Sequence, residues 1–131
     1  MTKFTSNTRI NKPLNEVYSF LADFNNHQQL MPDSIQEWSS TTDEANFSIP
    51  NMAKLSLKID SRVPDQEIII VPAAKAPFDL ELKWSLFFDN DHTDVTFTIN
   101  ADLNMMMKML ASGPLQKLAD HETQSLNTIL S

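Results

Sequence analysis

Glu122 is the residue of this sequence best placed to do chemistry in a protein interior. A helical wheel puts its carboxyl group near the middle of an apolar stripe formed by Leu115, Leu118, Leu126 and Ile129. A carboxyl group that faces an apolar pocket has a raised pKa, so it could transfer a proton or anchor a polar group of a ligand. Alternatively, Glu122 lies where the helix passes a sheet edge, or it pairs with a strand residue such as Arg9 or Arg62.

The remaining chemistry-bearing residues form no catalytic or metal-binding motif. His27, His92 and His121 lie far apart, without HExxH or i, i+4 spacing, and His121 diverges from Asp120 by about 100° on a helix. The absence of cysteine removes disulfides, thiolate metal sites and cysteine nucleophiles. A single glycine, Gly113, cannot supply a dinucleotide fingerprint or a P-loop. We therefore expect no catalytic residue set, no bound metal and no cofactor.

Length and charge narrow the classes of protein further. The 131 residues suit one domain, 1–131, and 41% hydrophobic with 21% charged residues is ordinary for a globular chain. A net charge of −7 repels phosphate backbones and anionic lipids, so we expect no nucleic-acid partner. No apolar run approaches the roughly 20 residues of a membrane span, and the first residues do not read as a signal peptide. These features predict a cytoplasmic protein.

The first third of the chain predicts one strand and two helices. Phe4 and Ile10 share a period-2 register, which indicates a strand over 3–10. After Pro13, apolar residues recur every three or four positions and predict an amphipathic helix, with a short second helix over 26–31.

From Ile35 to Asp102 the pattern is that of antiparallel strands. Turn signals at 42–44, 50–51, 63–65, 72–77 and 89–91 separate segments in which apolar and polar residues alternate. The alternation gives the sheet one dry face, on which we place Leu57, Leu82, Trp84 and Phe97. These side chains suit the wall of an apolar pocket and suit a solid core equally well.

The last segment, 103–130, returns to helical spacing and should cover the dry face. Gly113-Pro114 predicts a kink or a break in this helix. Four methionines at its start, Met105, Met106, Met107 and Met109, could form an adaptable wall for an apolar ligand, or could be ordinary core residues with one or two exposed. The whole order predicts an α+β fold, a curved antiparallel sheet of about seven strands (β-α-α-β6-α) closed by one long helix.

With this order, the chain resembles the START-like (SRPBCC) superfamily, which has the helix-grip fold and includes polyketide cyclase/dehydrase-like proteins and ligand carriers of the birch-pollen-allergen type. The resemblance lies in residues 10–13, 16–21, 23–26 and 30–32, and in Ala101-Asp102-Leu103 leading into the final helix. It implies a hydrophobic small molecule, lipid-like or polyketide-like, held between the sheet and the C-terminal helix. The expected cavity lining is Leu57, Leu82, Trp84, Phe97, Met106, Leu110, Leu118 and Glu122.

Three functions remain open from the sequence. The favoured one is non-catalytic binding of the hydrophobic small molecule. The second is an enzyme of the cyclase or dehydrase kind, in which Glu122 or His121 transfers protons. The third is a protein-interaction module that docks a partner through the exposed sheet edge, the methionine cluster or Phe87, an apolar residue in an outward register. The sequence assigns neither a ligand identity nor an oligomeric state.

Overall fold

One antiparallel sheet of seven strands carries the fold, with a long helix across its concave face. A computed structural model describes residues 1–50, 53–76 and 78–131. The strands are β1 (Thr2–Ile10), β2 (Gln36–Ser40), β3 (Glu44–Ile49), β4 (Ala53–Val63), β5 (Glu67–Pro72), β6 (Leu80–Asp89) and β7 (His92–Ala101). The helices are α1 (Leu14–Leu21), a 3-10 helix (Phe24–Leu30) and α2 (Met105–Leu130). The α+β class and the predicted order of elements are confirmed.

The strand order explains why helix α2 lies across the concave side of the sheet. It runs β1-β7-β6-β5-β4-β3-β2, so the first strand pairs with the last and the sheet curls into a half-barrel. The pairing of β1 with β7 extends from Thr2 opposite Ala101 to Ile10 opposite Thr93. Because α2 begins only four residues after β7 ends, it returns across the concave side of the sheet.

The strands and turns follow the sequence pattern closely. In β7, buried residues alternate strictly with partly exposed ones, and the buried set is Thr93, Val95, Phe97, Ile99 and Ala101. The hairpin turns use Asp65 and Asn90 with φ of 60°, which short polar side chains tolerate in the absence of glycine. The turns predicted at 50–51 and 72–77 fall partly outside the described residues.

Helix α2 continues without interruption through Pro114, so of the predicted kink or break the break is wrong. Proline normally clashes with the Cβ atom of the residue before it. That residue here is Gly113, which has no Cβ atom and lies in open space. The side chain of Asn104 caps the helix by accepting a hydrogen bond from the backbone N–H of Met107 at 2.9 Å. Among the described residues, no helix combines the length and apolarity needed to cross a membrane.

Polar contacts fasten α2 to β1 and so fix its position along the sheet. The hydroxyl groups of Ser6 and Thr123 lie 2.7 Å apart. The amide of Asn127 donates to the Thr8 hydroxyl at 3.0 Å and to the backbone carbonyl of Arg9 at 2.6 Å. Buried alanines at positions 111 and 119 allow the helix to approach the sheet closely.

Arg62, on β4, joins three parts of the chain. Its guanidinium group donates to the carbonyl oxygen of Ala22 through Nε (3.0 Å) and Nη2 (2.9 Å), and to that of Thr42 at 3.1 Å. It also pairs with Asp43 at 2.8 Å. Because Ala22 is the C-cap of α1, Arg62 satisfies a helix carbonyl and ties α1 to β4 and to the β2–β3 hairpin.

We expect Arg62→Met to lower the free energy of unfolding by about 1–3 kcal/mol, because it leaves two carbonyl groups without their charged donor. Urea unfolding would measure the change. Arg9→Met is the matched control, since Arg9 pairs with Asp94 while 61% exposed and should matter by less than about 1 kcal/mol. Equal losses in the two variants would contradict the role of Arg62.

Candidate ligand-binding site

The space between the concave face of the sheet and α2 narrows to an inner cavity of about 20 Å³. This volume has room for one water molecule. Its lining comes from the 3-10 helix and the loop after it, strands β3 to β7 and the middle of α2, namely Phe24, His27, Met31, Phe47, Ile49, Leu55, Leu57, Ile70, Leu80, Leu82, Trp84, Phe97, Ile99, Leu115, Leu118 and Glu122. The interior is therefore mostly filled by side chains.

Six of the eight residues that the sequence placed in the lining come together there: Leu57, Leu82, Trp84, Phe97, Leu118 and Glu122. The placement of Met106 and Leu110 is wrong, because their exposed fractions are 71% and 66%. Met106 lies about 140° around the helix axis from the buried Ala111, so its side chain points away from the sheet. Of the methionine cluster, only Met107 packs against the core, while Met105 and Met109 are also exposed.

Two polar residues of the lining, Trp84 and Glu122, are buried. The indole Nε1 of Trp84 is fully buried without a hydrogen bond. Glu122 is 3% exposed, and burial alone raises its pKa to about 8. Neither of the suggested arginines reaches Glu122, because Arg9 pairs with Asp94 and Arg62 pairs with Asp43. At neutral pH Glu122 is thus a carboxylic acid with a proton to donate.

His27 also lines the inner cavity, and sequence reasoning missed it. Its Nε2 donates to the backbone carbonyl of Leu21 at 2.8 Å, and its ring packs edge-on against Phe24 and Trp84. Burial lowers the pKa of His27 to about 4, so the ring is neutral at pH 7. The missed signal is a three-residue period, since Phe24, His27 and Leu30 are the buried residues of a 3-10 helix.

An outer groove of about 410 Å³ adjoins the inner cavity. It lies between the loop before β2, the end of β3 and the middle of α2, and its lining is Pro32, Ser34, Ile35, Ile49, Pro50, Pro114, Lys117, Leu118 and His121. Ile49 and Leu118 belong to both linings, so these two side chains separate the groove from the cavity.

His121 lies at the exposed rim of the outer groove. Its Nδ1 is 3.1 Å from the backbone carbonyl oxygen of Leu30, which can only accept a hydrogen bond. Nδ1 therefore carries the proton in the neutral ring, and Nε2 is the basic nitrogen. With Lys117, His121 gives the rim two groups that can carry positive charge, whereas the inner cavity has no lysine or arginine among its lining residues.

A separate polar cluster lies on the opposite face of the sheet. Asp89, His92 and Asp94 bring their potential ligand atoms within 4.8 Å of one another, and His92 Nε2 is 3.8 Å from a carboxylate oxygen of each aspartate. Arg9 already donates to Asp94 at 3.1 Å. The cluster links the β6–β7 hairpin to β1 through opposite charges, and it does not contribute to the cavity or the groove.

Solved structures with the same architecture cover nearly the whole chain. The KanY protein has a TM-score of 0.82 at 11% identity over 98% of this chain and 97% of its own. XoxI from Bacillus cereus has a TM-score of 0.77 at 12% identity over 99% of this chain and 96% of its own. A START superfamily protein from Mycobacterium smegmatis has a TM-score of 0.70 at 13% identity over 98% of this chain and 96% of its own. No family model and no curated protein matches the sequence. The chain therefore has the START-like helix-grip fold that the resemblance implied.

The raised pKa of Glu122 predicts a protein that loses stability as the pH rises above neutral. Between pH 4.5 and about 8 the folded state keeps a proton that the unfolded chain releases. His27, whose pKa is lowered from 6.5 to about 4, has the opposite effect, but only between those two values. The contribution of Glu122 is thus unopposed by His27 from pH 6.5 to 8, where the free energy of unfolding should fall.

Glu122→Gln should remove this decline and raise the free energy of unfolding at pH 8 by about 2 kcal/mol or more, because no carboxyl group is left to ionise in the unfolded chain. Urea unfolding at a series of pH values would measure it. Glu16→Gln, on the exposed face of α1, is the control and should keep the wild-type profile. A decline that persists in Glu122→Gln would show that another group causes it.

Proposed function

We propose that this protein binds a hydrophobic small molecule, lipid-like or polyketide-like, in the outer groove and the inner cavity, without catalysing a reaction on it. One observation carries the proposal. A groove of about 410 Å³ meets, at Ile49 and Leu118, a buried apolar cavity whose lining includes the buried carboxyl group of Glu122. The volume of the groove lies within the range of roughly 300–1,000 Å³ that is usual for small-molecule sites.

The buried polar residues of the lining favour a site over a solid core. A buried donor without an acceptor costs about 1–3 kcal/mol, so a core that only had to fold would place an apolar ring at position 84, where the indole Nε1 is buried without an acceptor in the described part of the chain. Trp84 is otherwise packed as a core residue, since its ring stacks on Phe97 with centroids 4.1 Å apart.

The size of the inner cavity decides how the ligand divides between the two spaces. About 20 Å³ admits one non-hydrogen atom or a small group, so most of the ligand must lie in the outer groove. Apolar side chains such as Ile35, Ile49 and Leu118 would contact its hydrocarbon part there. Burial of that apolar surface would be the main source of affinity.

A cyclase or dehydrase activity is the second candidate, and one observation favours it. Glu122 is protonated at neutral pH, as a general acid must be, and His121 offers a basic Nε2 nearby on the same helix. Turnover of a polyketide-like chain that disappears in both Glu122→Gln and His121→Phe would establish the activity. Binding without turnover supports the carrier function.

Leu118→Trp should abolish binding of Nile red, a neutral apolar dye, because the indole would fill the junction of groove and cavity. Dye fluorescence on titration would measure the effect, which should exceed tenfold in the dissociation constant. Leu110→Trp is the matched control, because it adds the same ring to the same helix at a position 66% exposed and outside the groove. Equal dye binding by wild type and both variants would place the dye elsewhere.

A further inference from the structure

The outer groove combines an apolar wall with a basic rim. Most of its lining is apolar, namely Pro32, Ile35, Ile49, Pro50, Pro114 and Leu118. Of the described residues that line it, only Lys117 and His121 are ionisable, and both are bases. The whole chain has 17 acidic and 10 basic residues, so the groove has the opposite sign of charge from the protein that carries it. This local reversal favours a ligand with a negative charge.

The charge of Lys117 is not neutralised by the described part of the protein. Lys117 is exposed, and no carboxylate of the described residues forms an ion pair with it. The acidic residue nearest to it in sequence, Asp120, accepts a hydrogen bond from the amide of Gln116 at 3.1 Å. The same amide donates to the backbone carbonyl of Thr5 on β1 at 3.2 Å. Asp120 is therefore held on the β1 side of α2, whereas Lys117 lies on the groove side.

His121 follows Lys117 by one helical turn on the same face of α2. Side chains four positions apart on a helix have Cβ atoms about 6 Å from each other, and both of these side chains line the groove. The His121 ring is held at Nδ1, which lies 3.1 Å from the carbonyl oxygen of Leu30 and 3.3 Å from the hydroxyl group of Ser125. An anion can therefore meet only Nε2, which brings a second positive charge to the rim when it is protonated.

We infer that the outer groove binds a single-chain amphipathic anion, such as a fatty acid, whose head group lies at Lys117 and His121. Its hydrocarbon chain packs along Ile35, Ile49 and Leu118. This inference rests on the proposed function and names its ligand class. The head group stays at the exposed rim, where it keeps part of its hydration, because the described lining of the inner cavity contains no lysine or arginine that could balance a buried negative charge.

Two probes of equal chain length, octanoate and octanol, test the ligand class by displacement of Nile red at pH 7. Both are used at concentrations at which they are monomeric. The wild type should bind octanoate about fivefold more tightly than octanol, because only octanoate gains an ion pair at the rim. Raising sodium chloride from about 0.05 M to about 0.5 M should lower this ratio, since salt screens charges at an exposed site.

Charge reversal at two positions of α2 tests the place of the head group. Lys117→Glu should weaken octanoate binding by about tenfold or more and leave the binding of octanol and Nile red within about twofold of the wild type. Lys108→Glu is the matched control, because it makes the same change at an exposed position of the same helix outside the groove lining. The two lysines are nine residues apart, roughly 13 Å along the helix, which exceeds the Debye length of about 10 Å at 0.1 M salt.

His121→Phe tests the second group of the rim. It keeps an aromatic ring and removes Nε2, so it should lower the octanoate-to-octanol ratio by a smaller factor than Lys117→Glu, since Lys117 remains. The ratio is the readout because a loss of packing weakens both probes, whereas a lost partner of the head group weakens octanoate alone.

The outcomes separate this inference from the proposed function. If Nile red does not bind the wild type and neither probe binds, the proposed function fails. If octanol binds the wild type as tightly as octanoate and Lys117→Glu leaves the ratio unchanged, the anionic subsite fails while the hydrophobic site stands. If Lys108→Glu lowers the ratio as much as Lys117→Glu does, net charge rather than the groove controls binding, and the inference is likewise overturned.

Discussion

The pairing of the first strand with the last is the constraint on which the rest of the structure depends. β1 lies beside β7 over its whole length, from Thr2 opposite Ala101 to Ile10 opposite Thr93. This pairing brings together residues about 90 positions apart, and its loop-closure entropy must be offset by the contacts that it allows. Helix α2, which follows β7, is then fastened to β1 through Ser6, Thr8 and the backbone of Arg9.

The position of α2 sets the chemistry of the interior. Four of its buried residues are alanine or leucine, which pack closely on the sheet, but Glu122 and Thr123 are buried with them. Thr123 finds a partner in Ser6, whereas Glu122 remains protonated without one among the described residues. Most positions of a folded protein follow the rule that buried residues are apolar or have a polar partner. A position that breaks this rule at a cost in stability, as Glu122 does, is where a functional site is expected.

The two faces of the half-barrel differ in charge. On the outer face, His92 lies between Asp89 and Asp94, and Arg9 supplies a full positive charge. On the inner face, Trp84, His27 and Glu122 are uncharged at neutral pH and are surrounded by hydrocarbon. Water screens charges on the outer face, while the inner face can hold only neutral groups at low cost. The inner cavity therefore favours neutral groups over ions.

The sequence by itself determined the elements and the faces that they bury. Period-2 alternation predicted β6 and β7 and the inward side chains of Trp84 and Phe97, and helical spacing predicted that Glu122 would lie on the buried stripe of α2. These properties are local, because each depends on residues a few positions apart. The exposed positions of Met106 and Leu110 depended on how α2 is rotated against the sheet. The continuity of α2 through Pro114 and the buried His27 have local causes, the glycine before the proline and the period of a 3-10 helix, which the sequence analysis did not use. Only the tertiary structure decided that the interior is nearly filled, with about 20 Å³ inside and about 410 Å³ in a groove beside it. Cavity volume depends on distances between elements far apart in the chain, and shifts of about an ångström, which no local pattern records, open or close such a space.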